Sequence, residues 1–117
     1  MILVLAAIPF GVTACSSNVP ADADIVINLV ANSSQFDKDT ITVPAGAKVA
    51  IVFDNKDYIL HNFSVYEDST AKSVIFYGQT VTHKKTTYVF TAPSTPGTYF
   101  FRCDIHPFSM TGDFIVT

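Results

Sequence analysis

The chain has 117 residues, about the size of one compact domain, which leaves no room for a two-domain enzyme or a long repeat array. Hydrophobic residues make up 49% and aromatic residues 13%, so the chain can form a packed core and does not belong to the disordered class. The net charge is −3 and the largest basic cluster is the pair Lys84-Lys85, which argues against nucleic-acid binding.

The longest apolar run, residues 1–12, is shorter than the roughly 20 residues of a membrane-spanning helix, so the sequence does not predict a polytopic membrane protein. Two small residues and a cysteine follow it in Thr13-Ala14-Cys15. This pattern resembles the lipobox of prokaryotic lipoproteins, in which the apolar segment is removed and the cysteine carries lipid. The resemblance implies that residues 1–15 are a signal and anchor segment and that Cys15 is lipidated. It places the protein outside the cytoplasm, in the periplasm or on the outer face of the cell membrane.

Two other interpretations of the apolar segment stay open. No Lys or Arg precedes Lys38, whereas export signals begin with positive residues. The segment could therefore be an ordinary first β-strand or a plain signal peptide that is removed. The polar residues 16–24 indicate a linker, and residues 25–117 then form one domain.

From residue 25 onward the sequence predicts β-structure, because short apolar and β-branched runs alternate with turn residues. Residues 54–57 are predicted to be a loop. Residues 71–79 are ambiguous and form either a short helix that enters a strand or an edge strand. Seven or eight runs at this spacing are typical of an antiparallel sandwich, so we expect an all-β fold with two sheets in a Greek-key arrangement. The clearest runs are 25–30, 40–43, 48–53, 62–66, 86–90, 98–103 and 112–117.

Three side chains that bind soft metals occur within eight residues near the C-terminus: Cys103, His106 and Met110. If Cys15 carries lipid, Cys103 has no partner for an internal disulfide, so we expect its thiol to be protected or used. Strand alternation places Tyr99, Phe101 and Cys103 on one face, so we expect Cys103 at the end of this strand, on the same side as the aromatic residues. Pro107 and Gly112 supply a fixed and a permissive φ, which predicts a loop that returns the histidine and the methionine toward the sulfur.

His61 supplies one more nitrogen, because it also lies at a loop–strand junction and two such junctions can meet at one end of a sandwich. Two imidazoles and a thiolate with a weak axial thioether describe a blue copper site. Zinc takes four strong ligands, and iron–sulfur clusters need more cysteines. The sequence therefore predicts one type 1 copper ion bound by His61, Cys103, His106 and Met110.

The same residues also have interpretations that involve no metal. His61 and His106 could be surface histidines that flank strands, and Met110 could fill the core. His83 stands beside Lys84-Lys85 in a polar stretch, which predicts a solvated position rather than a ligand.

The motifs resemble those of the cupredoxins, the superfamily of small type 1 copper proteins that includes plastocyanin, amicyanin and pseudoazurin. The resemblance covers roughly residues 25–117 and implies the same four ligands. It also implies that Asn62 ties the two ligand loops together and tunes the sulfur. Three residues separate His106 from Met110 where relatives have two or four, a difference that bears on the axial bond. The matching segments are His61-Asn62-Phe63, residues 96–102 and the Cys-x-x-His-x-x-x-Met spacing.

Such a site leaves no open position for a substrate, and we expect no Glu or Asp of the motif to act as an acid or base, so we expect electron transfer and no enzyme activity. The apolar residues Leu60, Pro107 and Phe108 are predicted to dock redox protein partners transiently, with the protein itself a monomer. Three alternatives remain. One is a copper-handling protein that buffers or delivers the ion. The others are an enzyme that uses a Cys–His nucleophile and an adhesion-type sandwich without metal.

Overall fold

The structure is a computed structural model, and it describes residues 18–117. In this part of the chain nine strands pair into two sheets, of order β2-β1-β4-β7 and β3-β9-β8-β5-β6. The predicted all-β sandwich is confirmed, and residues 18–117 contain no helix that could span a membrane. The strands are β1 (Ile25–Asn32), β2 (Gln35–Phe36), β3 (Thr40–Val43), β4 (Lys48–His61), β5 (Ser64–Tyr66), β6 (Val74–Tyr77), β7 (Val81–Thr91), β8 (Gly97–Arg102) and β9 (Thr111–Val116).

Two strand pairs are parallel, whereas the sequence spacing is typical of an antiparallel sandwich. β1 runs parallel to β4, with Ile25 opposite Val49, and β3 runs parallel to β9, with Ile41 opposite Phe114. Between β1 and β4 the chain crosses to the other sheet as β3 and then returns. Both strands therefore enter their sheet in the same direction. Spacing along the sequence does not indicate which strands become neighbours, so it could not predict this pairing.

The core between the sheets is rich in aromatic side chains. Phe63 lies near its centre and is fully buried. Its ring centroid lies 5.5 Å from that of Phe101, 6.2 Å from that of Phe90 and 6.4 Å from that of Tyr88. Each fully buried ring of this kind contributes roughly 1.5–3 kcal/mol through the hydrophobic effect. This apolar block supports the strand ends that carry the candidate site.

Gly112 is required for close packing and not for a permissive φ. Among the described glycines only Gly46 has a positive φ, of 71°. A Cβ atom on Gly112 would lie 2.3 Å from the ring of Phe101 and 2.5 Å from the carbonyl oxygen of Asp39. The expectation that Gly112 helps to turn the preceding loop through its φ is therefore wrong.

β4 continues through the residues that the sequence predicts to be a loop. Its pairing with β7 is regular up to Asn55, shifts register, and resumes at Leu60. The buried side chain of Asn55 donates to the carbonyl oxygens of Ile59 at 2.9 Å and Val81 at 2.7 Å, which stabilises the bulge from inside. The bulge allows polar residues inside a strand, and it brings the chain back so that β4 ends on the fully buried His61.

Two further expectations concern short segments. Residues 71–79 contain β6, which lies at the edge of the five-stranded sheet, so of the two alternatives the edge strand is observed. The described part of the expected linker, residues 18–24, contacts the start of β4 through Asp22 and Asp24, which accept hydrogen bonds at 2.8 Å from the side chain and main chain of Lys48. Cys15 and the anchor segment 1–15 lie outside the described residues, and the division of the chain stays a prediction.

The β1–β2 hairpin provides a test of backbone strain. Its two-residue turn, Ser33-Ser34, has φ values of 53° and 54°, a conformation that glycine adopts at lower cost than serine. We expect Ser34→Gly to raise the free energy of unfolding by about 0.5–1 kcal/mol in urea denaturation. Ser73→Gly, at an exposed position without a positive φ, is the control and should not stabilise the protein. An equal rise in both variants would contradict this interpretation.

Candidate metal centre

The candidate site lies where two separate segments meet at one end of the sandwich. His61 is the last residue of β4, Cys103 directly follows β8, and His106 lies in the loop before β9. The Cys103 Sγ atom lies 3.7 Å from His61 Nδ1 and 3.8 Å from His106 Nδ1, and the possible ligand atoms all lie within 4.8 Å of one another. His61 and Cys103 are fully buried, whereas His106 is partly exposed.

Main-chain hydrogen bonds fold the loop between β8 and β9 into a compact return. The His106 N–H donates to the carbonyl oxygen of Cys103 at 3.2 Å, and the Met110 N–H donates to that of His106 at 3.0 Å. The Cys103 N–H in turn donates to the carbonyl oxygen of Met110 at 2.9 Å. Cys103 and Met110 are therefore adjacent at the base of the loop, and Met110 is buried there.

Asn62 connects the two segments. Its Oδ1 accepts the main-chain N–H of Asp104 at 2.7 Å. Its Nδ2 donates to the Asp104 carboxylate and to the carbonyl oxygen of Gly78, both at 2.8 Å. The residue that follows His61 is thus bonded to the residue that follows Cys103. The resemblance implied such a connection, and these contacts agree with it; the functional role of Asn62, including any effect on the sulfur, stays a prediction.

Comparison with known proteins agrees with the fold and the motifs. Over residues 2–116 the sequence matches the family described as Cupredoxin-like domain. The chain belongs to this family. No curated protein matches the chain by sequence.

Several solved structures resemble this cupredoxin-like chain. Reduced auracyanin from Roseiflexus castenholzii matches with a TM-score of 0.68 and 23% identity, over 81% of this chain and 98% of its own. Amicyanin from Paracoccus versutus matches with a TM-score of 0.60 and 25% identity, over 87% of this chain and 90% of its own. Auracyanin A from Chloroflexus aurantiacus, described as a "blue" copper protein, matches with a TM-score of 0.64 and 23% identity, over 80% and 98%. At these identities the auracyanins support the fold alone.

Asp104 is central to this end of the cupredoxin-like domain, and sequence reasoning missed it. Its carboxylate accepts hydrogen bonds from Ser64 Oγ at 2.6 Å, Tyr66 OH at 2.5 Å and Arg102 Nε at 2.9 Å. Burial would raise the pKa of Asp104, but these bonds and that from Asn62 hold its pKa below the ordinary value. The carboxylate is therefore ionised, and each of its two oxygens accepts hydrogen bonds.

A sequence signal for this network existed. Asn62, Ser64 and Tyr66 follow one another at a spacing of two, as do Arg102 and Asp104, a spacing that in extended chain directs each set to one side. Ser64 pairs with Arg102 across β5 and β8, which joins the two sets. The spacing alone could not show that these two strands are neighbours.

Asp57 is the second acidic residue that sequence reasoning missed. Its Oδ2 lies 2.8 Å from His61 Nε2, and its side chain is only 17% exposed. The carboxylate also accepts the main-chain N–H groups of Ser33 at 2.8 Å and Ser34 at 2.9 Å. These contacts lower the pKa of Asp57, with the hydrogen bond from Ser34 as the largest cause and the contact with His61 as the next. No sequence spacing predicts this contact, because it requires the bulge in β4.

Exposed apolar side chains lie next in sequence to the candidate ligands of both segments, Leu60 beside His61 and Pro107-Phe108 after His106. Phe108 is 98% exposed, and Leu60 is 47% exposed, while Pro107 is partly exposed. These are the residues that the sequence predicts for partner docking, and the structure leaves all three accessible. His83 lies on the surface as expected, outside the cluster of candidate ligands, with its ring stacked on Tyr58 at a centroid distance of 4.0 Å.

Replacing Asp104 tests the network around it. Asp104→Ala leaves the Arg102 guanidinium and the buried Ser64 and Asn62 side chains without their acceptor, so we expect the free energy of unfolding to fall by about 3 kcal/mol. Urea denaturation of the metal-free protein measures it. Asp113→Ala, which removes an exposed carboxylate from β9, is the control and should change stability by less than about 0.5 kcal/mol. Similar losses in both variants would show that the network contributes little.

Proposed function

We propose that the protein is a type 1 copper electron-transfer protein that carries single electrons between redox partners at an extracytoplasmic membrane surface. The observation that supports this most directly is the convergence of Cys103 Sγ with the Nδ1 atoms of His61 and His106. Sulfur and nitrogen ligands of first-row metals form bonds of roughly 2.0–2.3 Å, and at 120° such bonds put two donors about 3.7 Å apart. The two observed sulfur–nitrogen separations, 3.7 and 3.8 Å, match this value, and the possible ligand atoms all lie within 4.8 Å of one another.

The chemistry of the donor set favours copper. A thiolate and two imidazoles are strong ligands for both Cu(I) and Cu(II), and a thioether is suited to a weak axial position. His61, Cys103 and His106 would hold the ion, with Met110 as the weak fourth ligand from the base of the loop. The bound copper would supply a one-electron redox centre.

The residues around the site limit rearrangement. Cys103 is held by its main-chain bond to Met110, and the two segments are joined through Asn62. Both nearby carboxylates, Asp57 and Asp104, accept several hydrogen bonds, so neither is free to act as an acid or base toward a substrate. A site that is fixed in this way suits electron transfer rather than catalysis.

Partner access is proposed to occur through His106. It is partly exposed and is the candidate ligand nearest the surface, while His61 and Cys103 are fully buried. Leu60, Pro107 and Phe108 would form a small apolar docking face around it, suited to a partner that binds transiently to this monomer.

Export and anchoring are supported by the sequence. The lipobox-like segment ending at Cys15 would tether a domain of residues 25–117 through a linker, residues 16–24, at the membrane surface. Burial of the free Cys103 thiol suits an oxidising compartment, because it restricts access of oxidants to the sulfur.

Copper reconstitution tests the site. We expect added Cu(II) to produce an intense visible thiolate-to-copper band that is lost in Cys103→Ala and in His61→Ala. His83→Ala, which replaces the histidine outside the cluster, is the matched control and should keep the full band. A band that survives Cys103→Ala would contradict the proposal. Rapid loss of copper to a chelator from the coloured protein would instead favour the copper-handling alternative.

The docking face can be tested without knowing the natural partner, through electron self-exchange between oxidised and reduced copies measured by NMR. Phe108→Glu places like charges between two docking faces, so we expect self-exchange to slow by about tenfold, equivalent to about 1.4 kcal/mol. Val26→Glu adds the same charge at a 47% exposed position near the start of β1 and should have little effect. Equal slowing in both variants would show that net charge, and not this face, controls the encounter.

A further inference from the structure

We propose that Asp57 is a positioning residue, which fixes the tautomer and orientation of the His61 ring and is itself held by the Ser33-Ser34 turn. The role assigned to His61 as a copper ligand rests on the proposed function. The hydrogen bonds that orient it do not depend on that role.

The first step of the argument concerns the proton on His61. Both oxygens of the Asp57 carboxylate already act as acceptors, for the N–H groups of Ser33 and Ser34, so the 2.8 Å contact between Oδ2 and His61 Nε2 points to Nε2 as the donor that carries the proton. Nδ1 then keeps its lone pair, and this is the atom that faces the Cys103 sulfur at 3.7 Å. The ring is fully buried, so water does not compete for either nitrogen. A metal ion can bind Nδ1 only in this tautomer, because Nδ1 then carries no proton.

The second step concerns the carboxylate. Its Oδ1 accepts the N–H of Ser33 at 2.8 Å, and its Oδ2 accepts the N–H of Ser34 at 2.9 Å. Two successive main-chain donors on the two oxygens fix the plane of the carboxylate. Both N–H groups of this turn, whose serines have positive φ values, donate to the same carboxylate, as turn N–H groups do when they bind an anion. The turn therefore adopts the conformation that the carboxylate needs.

The third step concerns the bulge. In a regular strand residues 57 and 61 would lie about 13 Å apart, at ~3.3 Å per residue. The register shift between Asn55 and Leu60 shortens this path, so that the two side chains of one strand meet. The hairpin turn, the bulge and the last residue of β4 thus form one hydrogen-bonded unit.

The experiment compares Asp57→Ala and Asp57→Asn with a matched control, Asp37→Ala. Asp37 belongs to the same hairpin region and caps a main-chain N–H, that of Val30, at 2.8 Å. The control therefore removes a comparable structural bond. Asp57→Asn is the conservative variant, because its amide oxygen can still accept from His61. All proteins are also compared by thermal unfolding.

The first readout uses metal-free protein and ¹⁵N chemical shifts of the His61 ring at a pH where the imidazole is neutral. We expect the Nε2–H tautomer in wild type, Asp37→Ala and Asp57→Asn, and a mixture of tautomers in Asp57→Ala. An Nδ1–H tautomer in wild type would overturn the proposal even if a variant failed to fold. An unchanged tautomer in Asp57→Ala would overturn it as well.

The second readout is Cu(I) affinity in competition with a chromophoric chelator. We expect a loss of roughly 10–100-fold in Asp57→Ala, a smaller loss in Asp57→Asn and none in Asp37→Ala. Equal losses of Cu(I) affinity in Asp57→Ala and Asp37→Ala would show that Asp57 has only a structural role and would overturn the proposal. If no form of the protein binds Cu(I), the proposed function fails, while the tautomer readout still decides the role of Asp57.

Discussion

The hydrogen bonds between Asn62 and Asp104 are the interaction on which the candidate site depends. They join the end of β4 to the end of β8, two segments that belong to different sheets of the sandwich. Together with the pairing of Ser64 with Arg102, they hold the buried His61 and Cys103 in register, which apolar packing, being non-directional, does not do by itself. Because the bonds involve a buried amide and an ionised carboxylate, their loss would leave polar groups without partners in the core.

The polar groups around the site form a satisfied network within an aromatic core. In the part of the chain that the structure describes, every buried side-chain nitrogen and oxygen has a hydrogen-bond partner. Two acidic residues of this network contact different segments of the site. Asp104 is hydrogen-bonded beside Cys103, and Asp57 contacts His61. A network of this kind favours one arrangement of the donor atoms, which is what a centre that changes charge without repacking requires.

The two histidines of the site differ in their surroundings, and this difference relates the geometry to the proposed function. His61 is enclosed and bonded to a carboxylate, whereas His106 reaches the surface among Pro107 and Phe108. One side of the centre is thus anchored in the scaffold, and the other is available to a transient partner. This asymmetry supports the proposal of an electron carrier with a single docking face.

Local patterns in the sequence by themselves determined the β class, the aromatic core and the approach of His106 to Cys103, because alternation and a short turning loop depend on neighbouring residues. The sequence resemblance also implied the connecting role of Asn62. Only the tertiary structure decided the parallel strand pairs, the bulge that continues β4 to His61, the packing role of Gly112, and the contacts of Asp57 and Asp104. Each of these depends on which distant strands become neighbours, and no spacing along the chain encodes that choice.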